Sequence, residues 1–367
     1  MATSAHTYAA SGVNYQEMDP IKVLAQQKAR QTADNLHFFG LEELSTSRGE
    51  SAYVWEAPNG YGALVVEGLG TKNLVADAMR TKEKSYYDQI AQDTVAMIVN
   101  DLIVVGALPQ VVNAYFAIGD SAWMNDKQRA TDLINGWAAA CNAAGAAWGG
   151  GETPTLKGII NPKTIDLAGS AVGWIGNKQD LVLGDKLADG DAIILIESSG
   201  IHANGLTMAR KMAELLPQGY ATALDDGRSY GEALLTPTHI YVSLVRELQE
   251  QKVPLHYMVN VTGHGWRKLM RARQAFSYIL NDIPEPQPEF KLIQQTARAS
   301  DEEMYGNFNM GVGFAVFTPA KAAAKALACA EQAGLKAWQA GTVKTGPKQV
   351  IITSKNITFT EDSLEVR

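Results

Sequence analysis

The chain has 367 residues, 46% of them hydrophobic and 19% charged, with a formal net charge of −7. That length exceeds one ordinary core and suits two domains, while the acidic balance disfavours a general affinity for nucleic acid or an anionic membrane surface, which need a basic field. Two cysteines, Cys141 and Cys329, exclude a disulfide framework and a zinc ribbon. The opening Met1-Ala-Thr-Ser-Ala-His6 lacks the basic and apolar segments of a leader, and no run of about eighteen apolar residues occurs, so a cytoplasmic protein is expected.

Residues 1–20 are small and polar, and are expected to be mobile without ligand. From Pro20 the apolar residues recur at helical intervals, with the proline in the first turn. Tyr61–Glu67 is a short apolar run ending at glycine, a strand that leaves Glu67 at its mouth. Residues 85–105 read as one long helix on which Asp93 and Asn100 lie two turns apart on one face, with Asp101 beside them. Polar groups on so apolar a helix need partners, and a bound cation or ligand is one kind. Val111–Ile118 is strand-like, 126–144 is an alanine-rich helix ended by Gly145, and Gly149-Gly-Gly-Glu-Thr153 reads as a turn. Ile165–Ile175 alternates as a strand, and the polar segment 176–191 is the expected boundary between a domain over 21–177 and one over 178–367.

The second half opens with a strand at Ala192–Glu197 and a turn at Ser198–Gly205 leading into a helix. A helix at about 238–251, the turn Thr262-Gly-His-Gly-Trp266 with a basic helix after it, a strand at about 310–317, a helix at 319–333 and a last strand at Val350–Thr353 follow. Strands and helices mix without a strict βαβ repeat, so each half reads as α+β.

The chemistry suggested by the first half is phosphate binding. Glycine-freed amides around Glu67-Gly-Leu-Gly-Thr-Lys72 can cradle phosphate while nearby carboxylates hold magnesium against it. Neither a Walker loop nor a dinucleotide fingerprint is present. Arg267, Lys268, Arg271 and Arg273 form a basic cluster that reads either as a solvated helix face or as a phosphate site.

In order, the motifs are SGVNYQEMD near the start, EGLGTK, D-x3-M-x2-ND-x4-GA-x-P at 93–109, GGET at 150–153, SSGIHANG at 198–205, LLTPTHIYV at 234–242, VTGHG at 261–265 and EMYGNFNMGVG at 303–313. Together they resemble the phosphoribosylformylglycinamidine cyclo-ligase (aminoimidazole ribonucleotide synthetase) family of purine biosynthesis. Four places depart from it: Glu67 replaces the usual Asp, His264 the usual Gly, Trp266–Arg271 the usual Phe-x-x-Asn-x-Pro-Arg, and Pro154–Gly158 the usual Ala-Glu-Met-Pro-Gly.

The resemblance implies two α/β-type domains, the first forming a homodimer through its sheet and the second a mixed sheet with helices that binds substrate. It implies ATP with Mg2+, and a ribonucleotide whose formyl oxygen is phosphorylated before the amidine nitrogen closes the ring. Glu67, Asp93 and Asp101 are then metal ligands, and Gly68, Gly70, Thr71, Lys72, Asn100, Gly150, Gly151, Glu152 and Thr153 contact ATP. Ser199, Gly200, Asn204, Thr262, Gly263, His264 and Asn309 receive the ribonucleotide, and His202, Lys72 and Asp93 are the catalytic candidates. Plainer readings stand beside these: Glu67, Asp93, Asp101 and Lys72 as surface charges, Glu152 as a brace for its turn, His202 as a cap. At the level of function the alternatives are a related ATP-dependent enzyme with another small substrate, or a nucleotide-binding paralogue without turnover.

Overall fold

The computed structural model describes the backbone of residues 15–364. Most of the segment expected to be mobile, including Gly12 and Val13, lies outside the described residues. The first helix, α1 (Tyr15–Arg30), starts ahead of Pro20 rather than at it. Pro20 thus lies inside the helix, where it gives up the one bond its N–H would have made to the Gln16 carbonyl.

The strands β1 (Glu42–Glu43), β2 (Tyr53–Ala57) and β3 (Gly60–Gly68) make an antiparallel meander. Helices α2 (Asn73–Met79) and α3 (Tyr87–Ile103) follow, then β4 (Leu108–Ile118), α4 (Lys127–Ala143), β5 (Ala147–Glu152) and β6 (Ile165–Ile175). They form a 6-stranded sheet in the order β1-β2-β3-β6-β4-β5. Its strands alternate as half-buried strands do: on β3, Ala63 and Val65 are buried, whereas Leu64 and Val66 are 38% and 69% exposed. The buried face packs on α3, whose Ile90, Ile98 and Leu102 are fully enclosed. Trimming Ile98 to alanine there costs about 2–5 kcal/mol.

The glycine run at 149–152 is not the expected turn but edge strand β5, parallel to β4 with Ala114 opposite Gly151. A Cβ on Gly151 would stand 2.2 Å from Ala114 O, so glycine is what lets the strands approach.

A second, 7-stranded sheet follows. Its elements are β7 (Asp191–Glu197), α5 (Leu206–Leu215), α6 (Tyr230–Leu234), α7 (Val242–Glu250), β8 (Tyr257–Asn260), β9 (Phe276–Leu280), α8 (Pro288–Ala297), α9 (Asp301–Asn307), β10 (Val312–Pro319), α10 (Ala323–Gln332), β11 (Ala337–Thr345), β12 (Gln349–Ile352) and β13 (Ile357–Thr360). The order β13-β12-β9-β11-β7-β10-β8 is antiparallel except for β12 against β9. The mixed sheet accords with the expected α+β character.

Two expected elements change. The helix expected from 238 begins at Val242, because residues 236–241 form an irregular segment between the halves. The basic helix after Gly265 is a 3-10 turn, Gly265–Met270, with Trp266, Leu269 and Met270 buried. Helix α3 also touches α7 and β8, which makes it one of the elements that join the halves.

Candidate active site

Where the two sheets meet, a cleft of about 520 Å³ opens. Glu67 at the end of β3 and Asp101 on α3 stand on one side of it, and Asn204, Thr262, Gly263, His264, Lys268 and Arg271 on the other. The Asn260 amide donates to Asp101 Oδ1 at 2.6 Å, and Lys268 Nζ donates to Thr262 Oγ1 at 2.6 Å. Burial first, and then the Asp101 carboxylate, push the Glu67 carboxyl up to about 8. Burial likewise brings the Lys268 ammonium down to about 8, although Asp101 and Glu67 pull the other way. Burial, reinforced by Lys268 and Arg267, lowers His264 to about 2, so its ring is neutral.

Five of the ribonucleotide and metal candidates besides Asp101 therefore share this cleft: Glu67, Asn204, Thr262, Gly263 and His264. Gly68 and Gly70 are exposed at its carboxylate end. Gly70 holds φ at 76° with nothing within 4 Å of where a Cβ would be, so a ligand can approach the backbone there closely. Thr71 Oγ1 is buried without a protein partner.

Lys72, Asp93 and Asn100 are not brought to this cleft. Lys72 Nζ bonds Asp93 Oδ1 at 2.8 Å, and both side chains are 0% exposed. The same Asp93 oxygen accepts from Thr238 N at 2.8 Å and Thr238 Oγ1 at 2.5 Å. Burial pushes Asp93 up and Lys72 down, and the attraction between them opposes both shifts. Asn100 spends its amide on His239 O and the amide of Tyr241. These three side chains therefore lie inside the protein rather than on the cleft lining, with Asp93 Oδ2 buried and unpaired.

Other candidates are similarly occupied. His202 is 3% exposed, and burial with the nearby His239 and Lys72 charges lowers it well below the usual histidine range. Its Nε2 accepts the Ser199 N–H at 3.2 Å, which caps the turn and puts the proton of the neutral ring on Nδ1. Ser199 Oγ donates to Pro237 O, and Asn309 bonds Ser198, Gly200 and Gly311. Gly150, Gly151, Glu152 and Thr153 are exposed along and just after the β5 edge, away from the cleft lining.

The solvated-face reading of the basic cluster is corrected as well. Lys268 is 6% exposed. Arg267 Nε donates to Gly306 O at 2.9 Å and Nη1 to Ser363 O at 3.1 Å, and Arg271 reaches Gly49 O at 2.9 Å and Ser51 Oγ at 2.8 Å. Only Arg273 fits that reading. Asn260 and the lining loop 47–51 went unread, since nothing in a strand end or a short polar loop marks it as part of a site. A charge facing the carboxylates was legible only as membership of the basic run.

The pairing of Glu67 with Asp101 suits Mg2+, which takes one or two carboxylates and completes its shell with phosphate and water. Among the described residues no group of three or more His, Cys, Asp or Glu side chains could hold a metal alone.

Comparison with known proteins places this arrangement. Residues 49–175 match the N-terminal domain of AIR synthase related proteins and residues 188–354 the C-terminal domain. The phosphoribosylformylglycinamidine cyclo-ligase of Carboxydothermus hydrogenoformans is 35% identical over 358 residues, covering 94% of this chain and 98% of that protein. The chain belongs to the phosphoribosylformylglycinamidine cyclo-ligase family. A cyclo-ligase of Methanothermobacter thermautotrophicus is also 35% identical, covering 85% of this chain and 88% of its own. Among solved structures, thiamine-monophosphate kinase from Stenotrophomonas maltophilia shares the fold at a TM-score of 0.60 and 20% identity, covering 82% of this chain and 88% of its own. Hydrogenase maturation protein HypE in complex with ATP does so at 0.59 and 15% identity, covering 85% of this chain and 89% of its own.

Proposed function

We propose that this member of the cyclo-ligase family closes formylglycinamidine ribonucleotide to aminoimidazole ribonucleotide at the expense of ATP. The observation that carries the reading is the Glu67–Asp101 pair facing Lys268 across an interdomain cleft, in a chain that aligns with cyclo-ligases over nearly its whole length.

An amide oxygen is a poor leaving group. Transfer of the γ-phosphoryl to the formyl oxygen breaks the bond between that phosphorus and the ADP oxygen. The amidine nitrogen then attacks the former formyl carbon, and the oxygen departs with phosphate. Such transfer depends on positioning and charge neutralisation. Glu67 and Asp101 would hold Mg2+, which would supply charge neutralisation for the ATP phosphates, and the uncrowded backbone at Gly70 would let phosphate oxygens approach closely. Lys268 and Arg271 supply positive charge to the ribonucleotide phosphate, with Thr262, Gly263 and Asn204 beside them. Arg267 is left out of that role because it does not line the cleft.

The same reading includes a homodimer. The face of the first sheet away from α3 exposes Leu64, Val66 and Val172, an apolar surface that a second copy would cover. Light scattering at micromolar concentration that finds only monomer sets this aside.

Phosphate release that requires ATP, Mg2+ and formylglycinamidine ribonucleotide together tests the activity directly. Growth of a purine auxotroph lacking its cyclo-ligase is the matching test in cells; failure of both removes the proposal.

A further inference from the structure

The segment Thr236-Pro-Thr-His-Ile-Tyr241 between α6 and α7 is held from both halves at once. From the first half, Lys72 Nζ donates to Thr236 O at 2.8 Å, Gln92 Nε2 to Thr238 O at 3.0 Å and Asn100 Nδ2 to His239 O at 2.7 Å. Asp93 Oδ1 accepts from Thr238 N at 2.8 Å and Asn100 Oδ1 from Tyr241 N at 2.9 Å. From the second half, Ser199 Oγ donates to Pro237 O at 2.5 Å, Arg228 Nη1 to Thr236 Oγ1 at 2.9 Å, and the Tyr241 hydroxyl to Glu197 O at 2.6 Å.

Both sets of anchors continue into the cleft. Lys72 directly follows the Gly68–Thr71 stretch beside Glu67, and Ser199 belongs to the turn whose Asn204 lines the opposite wall. We propose that Lys72, Asp93 and Asn100 are positioning residues: they fix the 236–241 segment, and through Ser199 the substrate-side turn, relative to the Glu67–Asp101 carboxylates. This rests on the reading of the cleft as the place where ATP and ribonucleotide meet. In-line transfer needs reacting atoms within about 3.5 Å, and a misplacement of about 1 Å costs roughly a hundredfold. Loosening the segment therefore lowers turnover and leaves nucleotide binding intact, because Lys72 is sealed against Asp93 and does not touch phosphate.

The test uses the full chain carrying Lys72→Met and Asp93→Asn together. The double change leaves no buried charge unpaired, and the amide oxygen it puts in place of the Asp93 carboxylate can still accept from Thr238. Calorimetry should give an affinity for ATP with Mg2+ within about threefold of wild type. Turnover should fall about a hundredfold, and amide hydrogen exchange over 236–241 should speed up about tenfold or more, since local opening becomes easier. Asn100→Ala should show the same split with both buried charges in place. A tenfold or greater loss of ATP affinity with exchange unchanged would make Lys72 a nucleotide ligand and overturn the proposal; so would faster exchange with undiminished turnover. If wild type itself releases no phosphate with formylglycinamidine ribonucleotide, the functional reading fails, whereas exchange and ATP affinity still decide whether these residues anchor the segment.

Discussion

Two lysine–carboxylate assemblies branch from the same helix, and they behave oppositely. Asp93 and Asp101 are eight residues apart on α3, so they point about 80° apart around the axis and stand about 12 Å apart along it. At Asp93 the charge is matched: one lysine at 2.8 Å, with a hydroxyl and an amide on the same oxygen. At Asp101 two acids crowd one site, so that the Glu67 carboxyl is held up to about 8, and the buried lysine there, Lys268, donates to Thr262. A matched buried pair holds a fold together, whereas an unmatched pair on a cleft invites a cation.

The largest expected effect breaks the matched pair. Asp93→Ala leaves the Lys72 ammonium buried without its counter-ion, and urea unfolding should show a loss of about 3–5 kcal/mol. A loss below about 1 kcal/mol would mean that water or another group reaches Lys72, and the contrast between the two assemblies would dissolve.

Next comes the unmatched pair. Asp101→Asn removes one of two neighbouring carboxylates, so stability should hold or rise while phosphate release falls about a hundredfold, or about 2.7 kcal/mol. The ATP affinity measured with Mg2+ should drop, and that measured without Mg2+ should not. If unfolding shows instead a loss like that at Asp93, Asp101 is a structural group.

That contrast also explains how much the sequence could disclose. Helix α3, and strands β3 and β6 with their alternating burial, follow from local periodicity and stand where it puts them. Strands β9, β11 and β13 were unread, because short runs such as Phe276–Leu280, or runs broken by Gly341 and Lys344, carry no periodic signal of their own and are strands only by pairing. The glycine run of β5 mimics a turn for the same reason. In the site, Glu67, Asp101, Asn204 and Thr262–His264 were legible as motifs and do share one cleft. Lys72, Asp93 and Asn100 belong to motifs just as specific. Nothing local shows, however, that a segment more than a hundred positions away bonds all three of them.

A smaller effect sharpens the cleft side. Lys268→Met keeps the volume and removes the charge, so the Michaelis constant for the ribonucleotide should rise about tenfold, or about 1.4 kcal/mol, with that for ATP moving less. Arg267→Ala should act differently and lower stability, because its guanidinium ties Gly306 and Ser363 carbonyls together. Equal shifts of both constants in Lys268→Met would place the lysine on the nucleotide instead.

The smallest effect concerns the interior side and pH. His202 is buried near Lys72, and His239, itself lowered mainly by burial, packs close by, so the folded state keeps the His202 ring neutral. With the folded pKa depressed below the unfolded value of about 6.5, the unfolded chain binds the extra proton first as pH falls. The stabilising contribution of the neutral ring is thus complete well above pH 6.5 and shrinks on acidification, by about 0.8 kcal/mol between pH 7.5 and 6. Glu67 works in the opposite sense, since a raised carboxyl favours the folded state as pH falls through about 8, so total stability does not isolate His202. The difference between wild type and His202→Gln does, because glutamine can still accept the Ser199 N–H and does not titrate. Urea midpoints measured across that range should converge as pH falls, with the wild type losing its lead. Parallel curves would mean that His202 takes a proton in the folded protein, and it would return to the list of groups able to give one to a departing oxygen.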